Sequence, residues 1–180
     1  MMKLVFLGIF LAAATAAYAQ QKPVDQQIVE ALLPLPEDLR PGATVIGYDT
    51  AGKKVVLREG TGNIMCTADS PAEGFSVRCY PKSLEGYRTR VAELQAEGLS
   101  EDKIKDVINA EVQAGKLQAP AHVVSYAIRG AELQNALPLT TFYVPGATSE
   151  STGLTTTPSH YRPWLMFAGT PAAHIMIPGK

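Results

Sequence analysis

His160 and His174 stand near the end of the chain, interleaved with Trp164, Met166 and Met176, in a protein with three histidines and one tryptophan. Thioether and imidazole together suit copper, above all in an oxidising compartment. His174-x-Met176 puts both groups on one face of a strand, because strand side chains alternate with period two. His174, Met176 and Met166 are therefore the candidate copper ligands. A packing role is open to the same residues, since Met fills cores and His tolerates a half-buried strand position. Trp164, Leu165, Phe167, Ile175 and Ile177 would then cover both faces of a central strand. Register separates the two readings. If Met166 faces His174, Trp164 faces Met176 and the cluster is one-sided, whereas a one-residue slip sets His174 opposite Phe167 and scatters it.

Nucleophilic catalysis would need a different combination. Ser149 or Ser151, with His160 or His174 as base and Glu59 or Glu150 as orienter, is the best scattered trio, because triads are recognised in space and not in sequence. No GxSxG elbow, HExxH helix, SxxK, CxxCH or calcium loop is present. Gly47 to Lys54 comes close to the phosphate loop GxxxxGK[ST], but Lys54 replaces the magnesium-binding hydroxyl. "KKVVLRE" after it is a strand where the motif needs a helix.

The elements that must position these residues follow from periodicity. Val24, Ile28 and Leu32, with Val29 and Leu33, predict a short amphipathic helix ended by Pro34. Thr44 to Ile46 and Val55 to Leu57 flank Thr50-Ala51-Gly52-Lys53 and predict a hairpin. Ser83 is the expected cap of a helix carrying Tyr87, Val91 and Leu94. Ser100 is expected to open a second helix that buries Ile104, Val107, Ile108 and Val112, with Gly98 and Gly115 as stops. "HVVSYAIRG" and "LTTFYVPG" read as strands, and Ala147 to Pro163 as one long loop. Strands at both ends with helices between them predict an α+β fold, a mainly antiparallel sheet carrying an inserted helical hairpin.

Residues 1–19 read as a secretory signal: Lys3, an apolar run from Leu4 to Ala14, and Ala17-Tyr18-Ala19 as the cleavage site. The run is about 11 residues, short of the roughly 20 that cross a bilayer, so no membrane span is expected. Residues 20–180 are expected to form a single domain, periplasmic or secreted. The formal net charge is −1, and no basic cluster exceeds Lys53-Lys54, which argues against nucleic acid as a partner. Cys66 and Cys79 in an exported chain are expected to form a disulfide. The segment between them carries turn residues, so a hairpin centred near Ala72 would set the two opposite each other.

"LREGTGNIMCTADSPAEGFSVRCY" and "PWLMFAGTPAAHIMIP" resemble a family of small secreted bacterial proteins. The matching positions are Arg58, Glu59, Gly60 and Thr61, then Cys66 and Cys79, then His174, Met176 and Ile177. Gly62-Asn63 departs from the Asn-Gly expected after the threonine. The resemblance implies export but no reaction and no cofactor, and it draws attention to Arg58 and Glu59, either as a surface ion pair or as polar lining of a cleft floored by the C-terminal strands. The expected ligand set is thus Arg58, Glu59, His160, Trp164 and His174. The expected function is a binding or envelope-accessory module for a small molecule or envelope component, sited where the long loop meets the last strands. A hydrolase using His160 or His174 with a loop Ser is the alternative.

Overall fold

The computed structural model describes residues 22–70 and 74–179. The expected signal segment and the centre of the expected hairpin at Ala72 lie outside them. An eight-stranded sheet in the order β2-β1-β3-β4-β5-β6-β8-β7 carries helices on its faces, so the fold is α+β. The strands are β1 (Thr44–Tyr48), β2 (Lys54–Arg58), β3 (Ile64–Thr67), β4 (Phe75–Pro81), β5 (Val124–Gly130), β6 (Leu137–Tyr143), β7 (Trp164–Met166) and β8 (His174–Pro178). All neighbours are antiparallel except β1 and β3.

Helix α1 (Val24–Leu32) packs on one sheet face, where Ala31, Leu32 and Leu35 meet Val45, Cys66 and Cys79. The apolar spacing finds this helix but misplaces its buried side. Val24 and Val29 are 49% and 63% exposed, while Gln27 and Glu30 are buried. The reason is polar. Gln27 donates to the Lys22 and Tyr48 carbonyls and accepts from the Tyr48 amide, closing the end of β1. Lys22 and Gln26 both donate to Glu30. Gly47 lies beneath this clasp, where a Cβ would stand 2.5 Å from the Gln27 Oε1 atom.

Cys66 and Cys79 are cross-strand partners in the β3–β4 ladder and form a disulfide, with their Cα atoms 4.0 Å apart. Both are fully buried beneath α1. Closing a loop this short stabilises by about 3 kcal/mol through the unfolded state.

Between β4 and β5 the chain forms α2 (Glu85–Ala96) and α3 (Glu101–Gln113). They share an apolar cluster of Leu94, Ile104 and Ile108, separate from the core under α1. Arg90 also ties them together through Glu111, with Nη2–Oε1 at 2.8 Å. Ser83 does not cap α2. It lies in a 3-10 turn, Lys82–Leu84, that leads straight into the helix. Ser100 occupies the N-cap of α3 without a side-chain bond to it. Among the described residues no helix is long and apolar enough to cross a membrane.

The expected long loop contains one helical turn, α4 (Ser149–Thr152), in which Thr148 and Ser151 form a reciprocal capping box. That local bonding engages Thr148, Ser151 and Thr152. Beyond it the chain lies along β7, where the Leu165 amide donates to the Thr155 carbonyl. The loop thereby occupies one backbone donor of the edge strand, where an open edge invites pairing.

Candidate functional site

Pairing in the last two strands sets Met166 opposite His174 and Trp164 opposite Met176. This is the one-sided register. β8 is flanked by β6 and β7, but β7 is the edge strand, not a covered central one. The His/Met/Trp residues share a sheet face and still divide between two cavities. Trp164, Met176 and His160 line one of about 280 Å³, together with Pro158 and Ser159 of the loop. His174 and Met166 line another of about 360 Å³, between the sheet and the α2–α3 pair. The three candidate copper ligands therefore do not share a cavity. The Met176 sulfur lies 3.6 Å from the Thr141 hydroxyl, which donates to it.

His174 is buried, and its Nδ1 lies 2.8 Å from the Ala172 carbonyl. A carbonyl only accepts, so Nδ1 carries the proton and Nε2 is left as the acceptor. Burial holds the imidazole pKa below its ordinary value of 6.5, against the opposing bond to Ala172. The ring is neutral at pH 7. It packs against Tyr143, with centroids 5.0 Å apart, and against the edge of Phe167 at 5.5 Å. Tyr143 in turn meets Tyr87 of α2 at 6.3 Å.

The hydrolytic trio is not brought together. Ser151 is engaged with Thr148, both through its amide and through its hydroxyl. His174 meets the Ala172 carbonyl, and no hydrogen bond joins His160 or His174 to Ser149 or Ser151 among the described residues.

Arg58 and Glu59 are also elsewhere. β2 and β7 are opposite edges of the sheet, so Arg58 and Glu59 do not line a cleft floored by the C-terminal strands. Arg58 donates to the carbonyls of Arg40, at 2.6 Å, and Ala43, at 2.8 Å. The Gly60 amide donates to the Thr44 hydroxyl, and a Cβ on Gly60 would come within 2.3 Å of the Gly42 carbonyl oxygen. This turn is a backbone clasp over residues 40–44, and Gly is needed because two chains touch there.

Sequence reasoning did not single out the charge of the cavity between the sheet and the α2–α3 pair. Arg78 of β4, Arg88 of α2, Lys105 of α3 and Arg129 of β5 line it, against one carboxylate, Glu101. None of the three guanidinium groups forms an ion pair with a carboxylate among the described residues. Arg78 and Arg129 are diagonal neighbours on adjacent strands, since Arg78 faces Ala127 and Arg129 faces Ser76. Arg88 lies over the Tyr80 ring, 4.3 Å from its centre, and its Nε is buried without a hydrogen-bond partner. The Tyr80 hydroxyl donates to Glu85, and burial together with that carboxylate pushes its pKa up to about 12. Burial also raises Tyr143, while the nearby charges of Arg88 and Arg129 pull it the other way. Arg129 lines both cavities. Desolvation lowers its pKa, but a guanidinium remains charged at any ordinary pH.

The signal available in the sequence was weak, because Arg129 is distant from Arg78 and Arg88 along the chain and each has the look of an ordinary surface charge. Only the β4–β5 register and the crossing of α2 over the sheet bring them together. Comparison with protein-family models, with curated proteins and with solved structures finds no match for this chain.

Proposed function

We propose that this protein is an exported binding module for a small anionic ligand, held between the sheet and an inserted helical hairpin made by α2 and α3. The observation that carries this reading is the convergence of Arg78, Arg88 and Arg129 on one cavity, with no ion pair to a carboxylate among the described residues. Like charges crowded at a partly dry surface cost free energy. A bound anion offsets that cost with charge-assisted, bidentate hydrogen bonds. In a chain with net charge −1, this concentrates positive potential at a single cleft. Export is supported by the disulfide, which belongs to oxidising compartments, and by the reading of residues 1–19 as a secretory signal. The cavity of about 360 Å³ falls within the range that holds small molecules.

The hydrolase alternative has less support, since among the described residues no hydroxyl hydrogen-bonds His160 or His174. The test is thermal unfolding of residues 20–180, oxidised, against acetate, benzoate, citrate and inorganic phosphate. At least one anion should raise Tm saturably in the wild type and do so much less in Arg129→Gln. Equal Tm with and without every anion at millimolar concentration would overturn the proposal.

A further inference from the structure

Resting on that anion-binding reading, we infer that the ligand is an aromatic acid, its acid group on the Arg88–Arg129 side of the cavity and its ring against Tyr143, Tyr87, His174 and Phe167. Three observations converge on this class. The first is the charge, which demands an anion. The second is the aromatic part of the same lining, which Arg88 and Arg129 approach at Tyr143. Tyr87, Tyr143, His174 and Phe167 form an unbroken run of rings, with centroids 6.3, 5.0 and 5.5 Å apart, and the Tyr87–Tyr143 and Phe167–His174 contacts are edge-to-face. All four rings line the cavity. A hydrophilic anion such as phosphate would leave this wall unused, whereas a flat ring extends the same edge-to-face pattern. Arginine suits both parts of such a ligand, because its planar head binds a carboxylate in fork geometry and stacks on an aromatic face.

The third observation is backbone strain at the wall. Phe167 has φ 55°, a left-handed conformation that a bulky side chain rarely adopts. The turn after β7 would accept glycine there at no steric cost, yet it carries a phenylalanine whose ring closes the aromatic run on His174. Backbone strain of this kind recurs at ligand-binding sites.

Calorimetric titration of the oxidised mature protein tests the inference with five probes: acetate, hexanoate, benzoate, 2-naphthoate and inorganic phosphate. Benzoate or 2-naphthoate should bind at least tenfold tighter than hexanoate and acetate. Arg129→Gln should weaken all carboxylates together. Tyr87→Leu, checked for folding by circular dichroism, should reduce the preference for aromatic over aliphatic acids to less than threefold. If hexanoate equals 2-naphthoate in the wild type, the aromatic class is wrong while the anion site stands, and this holds whether or not the Tyr87 variant folds. If phosphate binds tightest, the aromatic class is likewise wrong. If none of the five binds and citrate does not raise Tm either, the anion-binding reading itself falls.

Discussion

Gln27 shows how a polar side chain can outrank an apolar one for a buried position. Its amide satisfies two carbonyls and one N–H that would otherwise be orphaned where α1 crosses the end of β1. Gln27→Ala should therefore cost about 2 kcal/mol, because buried backbone groups are left unpaired. Val29→Ala, one turn face away and 63% exposed, should change stability by less than about 0.5 kcal/mol. Urea unfolding of the two variants checks both values. His174 makes a pH-dependent prediction. Its folded pKa lies below the unfolded value of 6.5, so the unfolded chain takes up the proton first. Stability is full above pH 6.5 and falls as pH drops below it, levelling off once the pH is beneath the folded pKa. The difference in unfolding free energy between wild type and His174→Gln should shrink from pH 8 to pH 5. A difference that is constant across that span would show that the ring titrates as it does in the unfolded chain.

Among the elements, the β3–β4 pair depends most on one covalent bond. Cys66 and Cys79 are direct partners in the ladder and face α1, so the disulfide links two strands in the layer that also anchors the helix. Replacing both by Ala should cost about 3 kcal/mol, a fall in Tm of about 6–12 °C for a domain of this size. Reduction of the wild type should have a similar effect, and calorimetry with and without reductant measures it. Prediction from periodicity and turn residues succeeded in locating elements, though not always their buried sides. α1, the β1–β2 hairpin, α2, α3, β5 and β6 all lie where apolar spacing and turn residues put them. It failed at details set by neighbours. Ser83 falls in a 3-10 turn because Leu84, not Ser83, opens α2. α4 is a turn held by Thr148 and Ser151 within a stretch too polar for any periodic signal.

At the scale of the molecule, the two sheet faces have different work. One is sealed by α1 over the disulfide, and the other is only partly roofed by α2 and α3, whose own apolar cluster leaves the basic cavity beneath them. Sites of this kind are held at some cost in stability. Arg129→Gln should therefore leave the ligand-free protein as stable as the wild type or more stable, by up to about 0.5 kcal/mol at low ionic strength, with the gain fading as salt is added. A marked loss of stability in that variant, measured by thermal unfolding at low and high salt, would mean that Arg129 is a structural residue and not a ligand contact.

What the sequence determined by itself was local: the class of the fold, the cysteine pairing, most helices and strands, and the interest of the C-terminal His/Met/Trp segment. Each of these follows from neighbours within a few residues or from a short loop, where spacing and turn chemistry act directly. What only the tertiary structure decided was long-range. Strand order placed Arg58, with Glu59 just beyond it, at the edge far from the last strands, the one-sided register was chosen where the connecting loop permitted two, and three arginines from β4, α2 and β5 met around one space. The physical reason is that a charge has no periodicity to betray its destination. An arginine in a cavity and one in open solvent are written with the same residue, and they differ only in which distant elements pack around them.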